Sequence, residues 1–362
     1  MAVERAQRGS PPTISEVAKE AGVGRATAAR TLGDYGYVSA ELRERVLAAA
    51  EKLGYRANSL ARSMSTGVSH TFGVIVADIA NPFFAGVIGG IATTSRVRGF
   101  DTLVLSTGES LELERDAVGL LIDKRVDGII IASAAVTAAQ TEHIRDAQQR
   151  DIPVVLVDRI IEHLPTDAVV IDNREAARGA VRLLLEAGHE RIGFVWGPEL
   201  AQPVTTRREL EAAAAATLWT DGERLRGYLD ALDDGGIVVD PALISVEEKT
   251  EDGARRSARA MLSSPNPPTA IFTTETDAMI GTIRAMRELS LEFPGDVSLV
   301  GFDDTSWAAI MDPPLTMVEQ PMTQLGVVAA ERLLARIDGD TEPARVLTLS
   351  TRLIERASVR KS

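Results

Sequence analysis

Residues 13–33 read TISEVAKEAGVGRATAARTLG, and the fold of the N-terminal region turns on them. Val17, Ala18 and Ala21 lie at helical spacing, as do Ala28 and Leu32, and Gly22-Val23 between the two halves marks a tight break. Thr13 and Glu16 form Thr-x-x-Glu, which starts the first helix by satisfying N–H groups that have no partner inside it. The pattern predicts two short helices folded against each other at an angle, a helix-turn-helix unit. Its second helix carries Arg25 and Arg30 with no acid between them. A third helix follows, with Ser39 expected as N-cap, Glu41 in the first turn and Gly54 just past the end. Beyond it, Asn58 is placed to cap a short helix in which Ala61 and Met64 share one face.

After Gly67 the texture changes. A polar link, VSHT, leads into the near-continuous apolar run FGVIVADI, which suits a strand buried on both faces. Similar runs return as DTLVLST, DGIIIAS, PVVLVDR, AVVID, RIGFVWG, TAIFTT and VSLVGFDD. Helical segments are expected between them, over 85–98, 111–124, 141–150, 175–187, 225–232, 251–262 and 277–289. This alternation predicts an α/β body with parallel sheets, divided into two Rossmann-like halves because the units are too many for one compact sheet.

Composition narrows the function. The chain has 362 residues and 45% apolar residues, enough for two or three compact units with ample core. No apolar run approaches the roughly 18 residues of a membrane span, and the charged N-terminus MAVERAQRGSPP lacks the apolar core of a signal peptide. With no cysteine, disulfides and thiolate chemistry are excluded, and a cytoplasmic location without membrane association is the simplest expectation. The net charge of −13 is unevenly spread: residues 1–67 hold ten Lys/Arg and seven Asp/Glu, a surplus of +3, which leaves −16 on the rest. A basic head on an acidic body places phosphate attraction in the head.

Catalysis finds little support. His70, His143, His163 and His189 are scattered without metal-ligand spacing, and there is no G-x-S-x-G, P-loop or cysteine nucleophile. The expectation is a non-enzyme with no cofactor and no metal.

The segments V-A-K-E-A-G-V-x-x-x-T-A-A-R-x-L (17–32), V-S-x-E-L-R-E-R-V-L-A-A-A-E-K-L-G-Y-x-x-N (38–58) and A-R-S-M (61–64) resemble the LacI/GalR family of bacterial transcription regulators. With the tail DPPLTMVEQPMTQLGVVAAERLL, the resemblance runs from about Thr13 to Val359. It implies a small all-α helix-turn-helix headpiece over 12–57 after a disordered 1–11, then a hinge helix and linker over 58–70. An effector-binding and dimerisation domain with the periplasmic-binding-protein-like fold would fill 71–362. Its N-subdomain would comprise about 71–171 and 321–346, its C-subdomain 172–320 and 347–362, with crossovers near Ile171, Gln320 and Leu347. The implied partners are double-stranded operator DNA, a sugar-like small-molecule effector and a second copy of the chain.

Site residues follow from the same resemblance. Arg25, Ala26 and Arg30 would meet base edges, Arg as a bidentate partner of guanine and Ala only against a thymine methyl. Thr13, Thr27, Tyr37 and Ser39 would hold phosphates and fix register. Gly24 and Ala29 stand where the family often has serine, so some backbone contacts should be missing. Asn58, Ala61 and Met64 belong to the hinge helix, with Met64 as the minor-groove wedge where leucine is usual. In the body, Asn81, Phe84, Asp158, Arg224, Glu248, Glu275 and Asp303 match effector-contact positions, at the strand ends where open α/β sheets bind ligands.

Two departures bear on the effector: Glu275-Thr276 replaces the family's Asn-Asp, and Glu248 stands where several members have an aromatic lid. Four acids against one base, Arg224, suit a donor-rich ligand, since ionised carboxylates only accept hydrogen bonds. The expected effector is a neutral polyol, sugar, nucleoside or amino sugar stacked on Phe84. The competing expectation has Glu248 and Glu275 facing solvent or paired with Arg255 and Arg284. The long stretch 199–222, with helix-prone ELEAAAAA, is either a surface insertion or a lid, and Trp219 keeps the second reading open. Two further readings stay open: response to a phosphoprotein partner, and a transporter's solute-binding protein, which the headpiece argues against.

Overall fold

The computed structural model describes residues 12–33, 36–55, 68–195, 197 and 204–361. The chain separates into two compact units, Met1–His70 and Thr71–Ser362.

The first unit holds α1 (Ile14–Ala21), α2 (Arg25–Gly33) and α3 (Ala40–Leu53). Thr13 and Glu16 close the capping box at α1, and Gly22 ends that helix in the left-handed region, at φ 63°. Val17, Ala18, Ala21, Ala28, Val46, Ala49 and Ala50 form the small core. Arg45 ties α3 to the turn by donating to the Ala21 carbonyl at 2.6 Å. One local expectation fails. Ser39 occupies the N-cap position of α3, but its hydroxyl caps no backbone N–H. The short helix expected around Asn58, Ala61 and Met64 lies outside the described residues.

The second unit contains two sheets. The first has six parallel strands in the order β10-β5-β4-β3-β1-β2: β1 (Thr71–Val76), β2 (Asp101–Ser106), β3 (Gly128–Ile131), β4 (Val154–Val157), β5 (Asp167–Ile171) and β10 (Val346–Leu349). The second has five strands in the order β11-β9-β8-β7-β6: β6 (Ile192–Val195), β7 (Ala270–Thr273), β8 (Ser298–Phe302), β9 (Thr316–Glu319) and β11 (Arg352–Ile354). Only β11 runs antiparallel, against β9. The chain passes between the sheets after Ile171, after Glu319 and after Leu349. The last passage comes later than the expected Leu347, because Leu347, Thr348 and Leu349 pair with β5 of the first sheet.

The helices are α4 (Pro82–Val97), α5 (Leu111–Asp123), α6 (Glu142–Gln149), α7 (Asn173–Glu186), α8 (Arg207–Ala216), α9 (Trp219–Asp234), α10 (Glu251–Leu262), α11 (Thr276–Glu288), α12 (Ser306–Ile310) and α13 (Met322–Ile337). Two start three residues or more before their apolar periodicity indicates. Asn81 caps α4 and Pro82 opens it, which favours helix entry there because proline's missing N–H costs nothing in a first turn. Helix α9 begins at Trp219 instead of 225, so the end of the expected insertion is its first turns. The remainder includes α8, opened by a Thr206/Glu209 capping box and buried on Leu210, Ala213 and Ala214.

Glycine sets the spacing of α9. A Cβ on Gly227 would lie 2.1 Å from the Arg174 carbonyl of α7. Only glycine permits that approach, and it brings Arg224, one turn earlier on α9, against Asn173 at the start of α7.

Candidate functional site

A cavity of about 220 Å³ opens between the two lobes of the body. The first lobe supplies the start of α4, the turn after β2 and the end of β4. The second supplies the start of α9, the loop before α10, and the ends of β7, β8 and β9. These are carboxyl ends of parallel strands, where the sheet's side chains give way to loops free to meet a ligand.

On the first-lobe side, Asn81 spends its Oδ1 on the Phe83 N–H, capping α4 at 2.9 Å. Phe83 and Phe84 follow, edge to face with centroids 5.0 Å apart, and both line the cavity. Phe84 thus offers an apolar face held by its neighbour. Asp158 lines the cavity in the left-handed region, φ 71°. Arg159 beside it donates to Asp158 at 3.2 Å and to Glu109 at 2.5 Å.

On the second-lobe side, Arg224 is 4% exposed. It donates to Asn173 Oδ1 at 2.8 Å and to the Thr274 carbonyl at 2.7 Å, and its guanidinium lies 3.9 Å from the Phe302 ring centroid. Asp303 also sits in the left-handed region, φ 69°, and accepts from Gln320 Nε2 at 2.5 Å. That bond orients the Gln320 amide, since a carboxylate cannot donate to it. Gln320 Oε1 is therefore left as an acceptor, buried and without a partner, in the cavity wall. Strained backbone at Asp158, Asp303 and Glu109 (φ 61°) clusters around one cavity, as ligand sites often require.

Asp158 and Asp303 are buried, Glu109 and Glu275 half-buried, and each shift has a cause. Burial pushes the Asp158 and Asp303 carboxyls up against the pull of nearby arginines, Arg159 and Arg224 at Asp158 and Arg224 at Asp303. Burial likewise pushes Glu275 up to about 7, partly offset by Lys249. At Glu109 burial raises the pKa, but the Arg159 and Lys249 charges outweigh it and hold the carboxyl down.

Of the residues expected from sequence, Asn81, Phe84, Asp158, Arg224, Glu275 and Asp303 come together around this cavity. Glu248 does not. Its side chain is 66% exposed and faces Arg256 at 3.9 Å; the next residue, Lys249, turns inward instead. Glu275 pairs with Lys249 at 3.4 Å, while the proposed partners Arg255 and Arg284 are engaged by Glu288 and Glu251. The count of one base was too low: Arg159 and Lys249 line the cavity with Arg224. The adjacent acid Asp304 is structural, held by both terminal nitrogens of Arg356. Sequence reasoning also missed Glu109 and Gln320. Gly108-Glu109 after a strand was a legible turn, but Lys249 carried no signal beyond its charge.

In the headpiece, Arg25, Ala26 and Arg30 are exposed along α2 and Thr27 is partly buried. Thr13 is exposed at the start of α1, Ser39 is half-buried, and Tyr37 is 91% exposed. These residues lie on α2, at the start of α1 and in the link before α3. Arg25 opens α2, which has no acid in its first turn.

Among the described residues no helix is long and apolar enough to cross a membrane, and no His/Cys/Asp/Glu group could hold a metal.

Comparison with known proteins agrees with this division. Residues 13–58 match the family model "Bacterial regulatory proteins, lacI family". Residues 69–357 match "Periplasmic binding proteins and sugar binding domain of LacI family". The HTH-type transcriptional repressor CytR of Escherichia coli (strain K12) is 32% identical over 349 residues, covering 96% of each chain. A transcriptional regulator CelR–cellobiose complex superposes with TM-score 0.69 at 29% identity, over 96% of this chain and 99% of that one. The Lac repressor dimer bound to operator and the anti-inducer ONPF shares the fold, with TM-score 0.81 at 24% identity over 97% and 100% of the chains.

Proposed function

The chain belongs to the LacI family of bacterial regulatory proteins, and from that premise we propose how its own residues divide the work. It is a DNA-binding transcriptional regulator with a ligand-binding body, and not an enzyme. In our reading it acts in the cytoplasm as a repressor, a homodimer on a near-palindromic operator; the Lac repressor neighbour is a dimer bound to operator.

Arg25, Ala26 and Arg30 read base edges from α2, while Thr13, Thr27, Tyr37 and Ser39 position it on the backbone. Exposure of Thr13, Arg25, Ala26, Arg30 and Tyr37 supports the assignment. The roles of Asn58, Ala61 and Met64 rest on the sequence resemblance alone.

The effector is a neutral sugar, polyol or nucleoside, or an amino sugar, seated between Phe84 and Arg224. The observation that carries this is Gln320 Oε1, an acceptor left without a partner beside Asp303. A hydroxyl or amine of the ligand would satisfy both, whereas a phosphate would set anionic acceptors against anionic acceptors. The cavity includes Arg159 and Lys249, yet both are already occupied by Glu109, so they do not invite an anion. Effector binding shifts the population of lobe arrangements, and that shift changes operator affinity.

A thermal-unfolding panel of a pentose, a disaccharide, a nucleoside, an amino sugar and a sugar phosphate tests the effector class. One of the first four should raise Tm with mass-action dependence, about 2.7 kcal/mol at a hundredfold over Kd. Specific stabilisation by the sugar phosphate would refute the charge argument.

A further inference from the structure

Lys249 lies in the loop before α10 of the second lobe, in a position nothing in the chain's local pattern singles out. Its ammonium stands 2.9 Å from Asp221, 3.4 Å from Glu275 and 3.5 Å from Glu109. Asp221 and Glu275 belong to the second lobe, on the first turn of α9 and immediately before α11. Glu109 belongs to the first, just after β2. Burial would lower the Lys249 pKa, but these carboxylates outweigh it and hold the ammonium charged.

Both ends of this contact are fixed. Gly108 at φ 57° and Glu109 at φ 61° make two successive left-handed residues, which turn the Glu109 carboxylate away from its own strand. Arg159 grips that carboxylate at 2.5 Å and is itself anchored by Asp158 and by the Ser133 carbonyl. On the far side, Asp221 rides on α9, which Gly227 holds tightly on α7. The Lys249 side chain is 16% exposed, so water and salt screen the contact far less than they screen a surface pair.

We propose that Lys249 is a positioning residue of the effector cleft, tying Glu109 of the first lobe to Asp221 and Glu275 of the second before any effector enters. This rests on reading the cleft as the effector site. An effector then meets lobes already drawn together, and its apparent affinity gains from the fraction of molecules in that arrangement. Trp219, packed on the apolar cluster of the first lobe around Ile75 and Leu121, is a second contact across the cleft. It is apolar and non-directional. The ion bridge alone selects a geometry.

The test measures the distance between the lobes with neither effector nor operator present, so its outcome is independent of the effector class. Because the chain has no cysteine, Leu113→Cys in the first lobe and Val238→Cys in the second accept spin labels selectively; both positions are exposed. The labelled full chain is diluted in excess unlabelled chain, and pulsed electron resonance reads the distance within one chain. The parent should give one narrow distribution, and Lys249→Arg should keep it. Lys249→Met and Glu109→Gln should each move about half or more of the population to longer distances. Distributions superimposable on the parent in both variants would overturn the proposal. A shift in Lys249→Met without one in Glu109→Gln would overturn it too, because the effect would then arise within the second lobe. Glu109→Gln also serves as the reading should Lys249→Met fail to fold.

Discussion

On α2, Arg25 and Arg30 stand exposed on a helix with no acid in its first turn, whereas Arg159 and Arg224, buried, and Lys249, half-buried, sit in the cleft among the protein's own acceptors. The two regions put cations to different use. A solvated arginine keeps its donors for an incoming partner, and its charge costs nothing to maintain in water. A buried one must be matched where it stands, or its desolvation is uncompensated. The headpiece therefore presents chemistry to a partner, and the cleft has arranged most of its chemistry in advance, with Gln320 Oε1 left unmet in the cavity wall.

Substitutions on the two sides should separate accordingly. Arg224→Met should have the largest effect. It strips Asp158 and Asp303 of a nearby buried cation and should cost about 3 kcal/mol or more in denaturant unfolding of the body, along with the effector response. Unchanged stability would erase the contrast, since Arg224 would then behave like a surface arginine.

Glu275→Gln should come next, through pH. The folded-state pKa of Glu275 is about 7 against an ordinary 4.5, so the folded protein holds that proton more tightly. The resulting stabilisation is complete below the ordinary value and is lost as pH rises through 7. Lys249, Asp221, Arg224 and Glu109 face this carboxyl. Denaturation of the parent between about pH 5 and 8 should show a decline on the order of 2 kcal/mol that the glutamine variant lacks. Parallel profiles for the two proteins would show that the carboxyl is not protonated in the fold.

Arg30→Ala should leave body stability untouched and relax base preference. Losing a bidentate guanine contact costs roughly 1–3 kcal/mol, so discrimination at one base pair should fall about tenfold in competition between selected sites and random DNA. Equal losses on both would make Arg30 a phosphate contact. Smallest of all, Glu248→Gln should change stability and effector binding by less than about 0.5 kcal/mol, because its exposed carboxylate lies outside the cavity lining.

Legibility in the sequence followed how local each cause was. The Thr13/Glu16 capping box and the Gly54 helix end were readable because each is settled within a few residues. Ser39 looked equally local and still failed as a hydrogen-bonding cap, since holding the N-cap position does not aim the hydroxyl at a backbone N–H. The starts of α4 and α9 were read late, because apolar spacing marks buried faces and both helices begin in residues chosen for the cleft.

By itself the sequence determined the helix-turn-helix unit and the succession of buried strands and helices, from periodicities and caps spanning a few residues, while the acids and aromatics at the strand ends came from the family resemblance. Tertiary structure alone decided which charges meet. Glu109 and Lys249 are far apart in the chain, and their contact depends on how two lobes close over one cavity. Glu248 and Lys249 are neighbours, yet one faces solvent and the other the cleft. In a loop, no repeat period assigns a side chain to a face. Burial does, and burial is a property of the assembled lobes.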